Sequence, residues 1–298
     1  MNSNNNENAQ LRLTDRGVIK ELMEKNGFTF SKALGQNFIV NPSVCPKIAS
    51  MGGAEPGRGV IEIGAGIGVL TAELASRAEK VVCIEIDSRL LPILDTTLAR
   101  FNNIKIVNSD VLKVDLKKLI SDEFSGMEVV VCANLPYYIT SPILMYLLEQ
   151  RLPVKSVTVM VQKEAAQRIC SAPGTRECGA ISAAIHYFSE PRLLFQVARG
   201  SFMPSPDVDS AVIRLDIRDT PPVDVQNEEL FFKIIKGAFS QRRKTVLNTL
   251  SSSLSLPKEK IKSLLAAVGI DEKARAENLT LKNFAAFTKE YEALLAEE

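Results

Sequence analysis

The apolar positions of this chain alternate between two spacings. Short β-branched runs at residues 60–63, 81–86, 104–107, 129–133 and 157–161 are separated by stretches at 69–77, 90–101, 143–148 and 163–170, where apolar residues return every three or four positions. Runs of the first kind predict strands and the second kind amphipathic helices, and their β-α-β-α order predicts a doubly wound parallel sheet. A helix at 14–25 precedes the series, with Val18, Ile19, Leu22 and Met23 at helical spacing. After Gly179 a helical stretch runs to 188, followed by two strand-like runs at 193–198 and 211–217 joined by a loop holding Pro204 and Pro206. Two strands joined without a helix predict an antiparallel pair at the sheet edge. Asp219-Thr220-Pro221-Pro222 then punctuates the chain, and the remainder is helical in pattern. The expected organisation is a tail at 1–13, an α/β domain at 14–218 and a small helical domain at 219–298.

Composition excludes several classes of function. With 298 residues, 46% of them hydrophobic, the chain can bury a sizeable core. Its longest apolar runs, such as 128–135, fall well short of the roughly 20 residues a membrane helix needs, so no span is expected. Residues 1–10 are rich in Asn, with neither a basic patch nor an apolar segment, and read as a disordered tail on a cytoplasmic protein. Cysteines at 45, 83, 132, 170 and 178 form no C-x-x-C pair, and the one histidine, His186, sits among aromatics. Both point to reduced, structural residues and to no metal site.

Candidate chemistry begins after the first strand, at Glu62-Ile63-Gly64-Ala65-Gly66-Ile67-Gly68. Glycines at such a turn let backbone approach a ligand closely. A dinucleotide fingerprint, G-x-G-x-x-G, would need glycine where Val69 stands. The spacing instead resembles motif I of S-adenosylmethionine-dependent methyltransferases, placing Gly64 and Gly66 at the cofactor. The second strand ends in Glu85, 21 positions after Gly64, where an acid accepts from ribose hydroxyls. Asp87 reads as a cap for the helix that follows. Two readings of Asp110, after the third strand, stand side by side: an acceptor for the amine of the cofactor adenine, or a cap of its own loop.

The fourth strand ends in Asn134-Leu135-Pro136-Tyr137, which resembles the [DNS]-P-P-[YFW] motif of amino-group methyltransferases. An adenine amine is a poor nucleophile because its lone pair is delocalised into the ring. Asn134 Oδ1 and the carbonyl of Leu135 or Pro136 would accept its hydrogens and aim the lone pair at the methyl group, which is orientation and electrostatics rather than base catalysis. Tyr137 would stack on the base.

Further segments make the resemblance specific. Ser31-Lys32-Ala33-Leu34-Gly35-Gln36-Asn37-Phe38-Ile39 and Phe202-Met203-Pro204-Ser205-Pro206-Asp207-Val208-Asp209-Ser210-Ala211-Val212 resemble the K-x-L-G-Q-N-F-L and F-x-P-x-P-x-V-x-S-A-V segments of the 16S rRNA adenine dimethyltransferase family. With Gln241-Arg242-Arg243-Lys244-Thr245, the likeness covers roughly residues 15 to 290. It implies a Rossmann-like class I methyltransferase sheet with a terminal antiparallel strand pair plus a C-terminal helical domain, S-adenosyl-L-methionine as cofactor and 16S rRNA of the small ribosomal subunit as partner. The enzyme is expected to be a monomer. The resemblance further implies that Asn37, Ile39, Gly64, Gly66, Glu85, Asp110 and Asn134 hold the cofactor. It sets Tyr137 and Phe202 about the target adenine, although ordinary packing also accounts for Phe202.

Net charge, +1, says nothing about RNA, but its distribution does. Between 231 and 262 stand Lys233, Lys236, Arg242, Arg243, Lys244, Lys258, Lys260 and Lys262 against Glu259 alone, a local +7. Such a surface either attracts phosphates or is simply a solvated face. Three functions fit: dimethylation of two adjacent adenines in the 3′-terminal hairpin loop of 16S rRNA; dimethylation of 23S rRNA of the macrolide-resistance type, whose tetrad is generally Asn-Ile-Pro-Tyr or Asn-Ile-Pro-Phe; or mainly an assembly role on the small subunit.

Overall fold

The computed structural model describes residues 11–31 and 34–297. Residues 1–10 of the expected tail, and Lys32 and Ala33 of the K-x-L-G-Q-N-F segment, lie outside them. Leu13, the last residue assigned to that tail, is buried. Asp15 opens α1 (Arg16–Lys25), its carboxylate accepting from the N–H groups of Gly17 at 2.7 Å and Val18 at 3.2 Å.

The chain then forms β1 (Phe38–Ile39), α2 (Val44–Met51), β2 (Arg58–Ile63), α3 (Val69–Ala75), β3 (Lys80–Glu85), α4 (Leu91–Thr97), β4 (Ile104–Asn108), α5 (Leu116–Glu123), β5 (Glu128–Asn134), α6 (Thr140–Glu149) and β6 (Ser156–Gln162). Strands β2, β3, β5 and β6 are buried along almost their whole length, as strands covered on both faces must be. After α7 (Lys163–Cys170) and α8 (Ala180–Phe188) come β7 (Ser189–Val197), β8 (Phe202–Met203) and β9 (Ser210–Ile217). The seven-stranded mixed sheet has the order β4-β3-β2-β5-β6-β9-β7, with β2 parallel to β3 and β5. The expected sheet and its terminal strand pair are therefore present, with β9 next to β6 and β7 at the edge.

That order places the site. The chain leaves β2 for β3 on one side and later returns to β5 on the other, so the loops beyond the carboxyl ends of β2 and β5 diverge and leave a crevice. Register aligns those ends: Ile63 faces Ile84 and Ala133, Glu85 faces Asn108, and Asn134 faces Met160. A separate two-stranded ladder pairs Phe38 with Met203 and Ile39 with Phe202, joining the two segments expected to flank the cofactor and the target base.

Some elements escaped the hydrophobic pattern. Helix α5 carries only two buried residues, Leu116 and Ile120, too few for a visible repeat. Helix α2 is short and has Pro46 in its first turn. Strand β7 begins four residues before its expected start because an edge strand tolerates Pro191, which has no N–H to donate.

The chain divides into two compact units. The first reaches Lys163 and includes Leu193–Arg214; the second comprises Glu164–Arg192 and everything described from Leu215 onward. The second holds α8 together with α9 (Glu228–Ala238), α10 (Val246–Leu254), α11 (Lys258–Ala267) and α12 (Leu281–Glu297). A single cut near residue 219 would leave α8 outside this unit. Aromatic packing explains the difference: Tyr187 and Phe188 lie 5.2 and 5.3 Å from the Phe232 ring, and Tyr187 donates to Glu228 Oε1 at 2.7 Å.

At the far end of the sheet from the crevice, β2 passes so close to Phe124 that a Cβ on Gly59 would stand 2.2 Å from its ring. Gly59→Ala is expected to lower stability by about 1–3 kcal/mol, the usual cost of overpacking a tight core. Urea unfolding measures it; an unchanged midpoint would show that the ring yields.

Candidate active site

The crevice is an open cleft of about 1130 Å³, mouth included, and its walls come from the ends of β2, β3 and β5, the segment from Leu34 to Ile39, and Phe202. Gly64 and Gly66 hold the first turn at φ +79° and +58°, a region that side chains disfavour. The turn's purpose is visible in one bond, from the Gly66 N–H to Glu85 Oε2 at 2.9 Å. The other oxygen of Glu85 accepts from the Asp87 N–H, also at 2.9 Å. Each oxygen keeps a lone-pair direction for a ligand, and Glu85 lines the cleft. Burial raises its pKa, opposed by these two backbone bonds.

Asp87 does more than the expected capping. It accepts from the Arg89 N–H at 3.1 Å, but its carboxylate also receives the Arg89 guanidinium at 2.8 and 2.7 Å and the Gln36 amide at 2.7 Å. Gln36 in turn accepts from the Ser31 N–H at 2.8 Å, and Arg89 lies 5.0 Å from the Phe28 ring centroid. The Arg89 guanidinium holds the Asp87 carboxyl below its usual range. An unbroken chain of contacts thus runs from the aromatic segment before the cleft to Glu85.

Sequence reasoning missed Glu62. It is 1% exposed, its Oε1 has no hydrogen-bond partner among the described residues, and it faces the cleft. Burial pushes its carboxyl up to about 7, a rise opposed first by the Thr71 hydroxyl and then by the Cys83 thiol, 3.4 Å from Oε2. The signal was available as an acid inside an otherwise apolar strand.

Asn134, at the end of β5, donates from Nδ2 to the Asn37 carbonyl at 3.4 Å, which leaves Oδ1 as a free acceptor. The Pro136 carbonyl is engaged, accepting from Ile139 N–H at 3.2 Å and Thr140 Oγ1 at 3.3 Å. The Leu135 carbonyl accepts nothing among the described residues. Of the two carbonyls left open by sequence, Leu135 is therefore the available one. Tyr137 is anchored by a 2.7 Å hydrogen bond between its hydroxyl and buried Ser210.

Asn37, Ile39 and Asp110 also line the cleft. Asp110 caps Val111–Lys113 through Oδ1, bonded to Leu112 N–H at 3.0 Å, so both of its readings are compatible with its position. Phe202 is 1% exposed, belongs to the core cluster and reaches the cleft only as part of its wall. The packing reading of Phe202 accounts for most of its surface.

In the second unit, Arg242, Arg243 and Lys244 lie in the turn before α10, whose cap is Thr245. All three are exposed and form no ion pair among the described residues. The local +7 is smaller in effect, since Lys262 pairs with Glu272 at 3.0 Å.

Comparisons with known proteins show the family. The profile of the ribosomal RNA adenine dimethylase family matches residues 27–293. Ribosomal RNA small subunit methyltransferase A of Alkaliphilus oremlandii is 47% identical over 274 residues, covering 92% of this chain and 96% of that protein. A dimethyladenosine transferase from Plasmodium falciparum superposes with a TM-score of 0.70 at 26% identity, covering 86% of this chain and 98% of that one. The 23S rRNA methyltransferase ErmE gives 0.66 at 25% identity, covering 86% and 100%.

The cofactor is S-adenosyl-L-methionine, and the cleft fits it. Its ammonium and sulfonium are cationic, and Glu62, buried in the cleft wall with Oε1 lacking a hydrogen-bond partner among the described residues, would add an acceptor for them. Glu85 would hold the ribose hydroxyls and Asp110 the adenine amine, with Asn37, Ile39 and the glycine turn enclosing the rest.

Glu62 carries a consequence for pH. Between an unfolded carboxyl near 4.5 and a folded one near 7, the folded chain binds more protons, so stability without cofactor falls as pH rises through that window. The loss is on the order of 3 kcal/mol, then constant at higher pH. Glu85, also raised by burial, adds in the same direction. Glu62→Gln is expected to flatten the fall between pH 5 and 8 in urea titrations. Retention of the full slope would place the titration elsewhere.

Proposed function

The chain belongs to the ribosomal RNA adenine dimethylase family, and from that membership and the free acceptors beside Tyr137 we propose that it dimethylates the N6 amines of two adjacent adenines in the 3′-terminal hairpin loop of 16S rRNA. Its substrate is the small ribosomal subunit or a precursor. We place it in the cytoplasm as a monomer, a compartment in keeping with five free cysteines. No helix among the described residues is long and apolar enough to cross a membrane.

The single observation that carries this reading is the pair of open acceptors, Asn134 Oδ1 and the Leu135 carbonyl, next to an aromatic ring fixed by Ser210. When bound, S-adenosyl-L-methionine supplies an electrophilic methyl group on a positively charged sulfur. The protein's task is to make the adenine amine reactive. Two acceptors hold its two hydrogens out of the ring plane, which withdraws the lone pair from conjugation and directs it into the cleft. These hydrogen bonds strengthen as the nitrogen becomes cationic, so they favour the transition state over the bound substrate. After one methyl transfer a single N–H remains, and one acceptor suffices for the second. No strong base is required, because the product amine loses its proton to water once it carries positive charge.

Small-subunit rRNA is favoured over the large-subunit target by relatives at 47% identity named for the small subunit, against 25% for ErmE. Incubation of isolated small and large subunits with labelled cofactor, followed by mass spectrometry of the rRNA, tests the choice. Labelling confined to 23S rRNA would refute it.

Asn134→Ala is expected to lower the single-turnover methylation rate by about 10²-fold or more while cofactor and RNA affinities stay within a few fold. A near-normal rate would reduce Asn134 to a turn residue. Neutralising Arg242, Arg243 and Lys244 together is expected to flatten the slope of log affinity against log salt by roughly 0.7–0.9 per lost phosphate contact. If that slope does not move, these residues are a solvated turn.

A further inference from the structure

The tetrad turn carries a second aromatic side chain that the proposed reaction leaves unused. Tyr138 is 62% exposed, yet it lines the cleft at its rim. Its hydroxyl makes no hydrogen bond among the described residues. The two neighbours differ because they occupy a tight 3-10 turn, Tyr137–Ile139, in which successive side chains point about 120° apart. Tyr137 turns inward to Ser210, and Tyr138 is left facing out.

The ring is backed on one side. A Cβ on Gly35 would lie 3.4 Å from Tyr138 Cε1, 3.5 Å from its Cδ1 and 3.3 Å from Pro136 Cβ. Gly35, at φ +60°, is thus the residue that lets the chain run close beneath the ring, a role the L-G-Q-N-F segment had not explained. The result is a large apolar surface with protein behind it and solvent in front, held at the entrance of the site. Among the described residues nothing covers its outer face, and a base beside the target adenine would bring a flat, apolar surface to it.

We propose that Tyr138 is a stacking platform for the nucleotide adjacent to the target adenine, so that one base lies against Tyr137 in the cleft while its neighbour rests on Tyr138 at the rim. This rests on the reading that the substrate presents two adjacent adenines. Stacking suits that substrate for a chemical reason. A side chain reading the neighbour through hydrogen bonds to N6 would distinguish adenine from its dimethylated product, whereas a ring accepts both, since every base keeps its π face whatever is attached to the amine. The same platform therefore serves whether the neighbour is still unmodified or already methylated.

The test uses the full chain and unmethylated small ribosomal subunits. Tyr138→Ala is expected to raise KM for subunits about 5- to 150-fold, the range that base–aromatic stacking spans. The single-turnover rate at saturating subunits and the affinity for S-adenosyl-L-methionine are expected to stay within about threefold. Tyr138→Phe, which keeps the ring, is expected to behave as the unaltered chain. Subunits with an abasic residue beside the target adenine are expected to raise KM for the unaltered chain and to leave Tyr138→Ala no worse than it already is. An unchanged KM in Tyr138→Ala, an additive loss on the abasic subunits, or a matching loss of cofactor affinity would each overturn the proposal; the last would assign the ring to the cofactor. Failure of the unaltered chain to methylate any small subunit is a different result, which overturns the functional reading and this platform with it.

Discussion

The site depends on a buried carboxylate at the end of a parallel strand. Glu85 accepts one backbone N–H from the glycine turn after β2 and another from Asp87 at its own strand end. A carboxylate removed from water costs free energy unless its oxygens are bonded, and here the partners are backbone groups that would otherwise be orphaned. The same two bonds fix the turn that shapes one wall of the cleft. Through Asp87 and Gln36 the constraint reaches Ser31, so the segment forming another wall is tied to the same acid.

The side of the cleft that carries Asn134 is built by a different long-range bond. Asn134 and Asn37 are 97 residues apart in sequence, and the hydrogen bond between them sets which end of the Asn134 amide faces the cleft. Pro136 spends its carbonyl on closing the next turn, which leaves Leu135 as the companion acceptor. Two acceptors and a ring locked by Ser210 form this side of the cleft, an arrangement suited to orienting a bound amine.

Much of this was legible from residue order. Strand and helix alternation, the glycine turn after the first strand and Asn134-Leu135-Pro136-Tyr137 after the fourth are local signals, since each depends on residues within a few positions of one another. The parallel sheet follows from them because βαβ crossovers have one favoured hand and strand ends then collect on one edge. Helices α2 and α5 were illegible, as short elements with few buried positions leave no repeat to detect.

By itself the sequence determined the sheet, the place of the cleft and the identity of the residues at the ends of its strands. Tertiary structure alone decided how those residues are used. Phe202 became part of the core because β8 pairs with β1, whereas Tyr138 remained exposed because its turn points it outward. Glu62 emerged as an orphaned acid only once the sheet around it was closed, and Lys262 lost its free charge to Glu272. For Phe202 and Glu62 the physical reason is the same: burial and hydrogen-bond occupancy are properties of what the chain brings into contact from far away, and no short window along the sequence contains both partners.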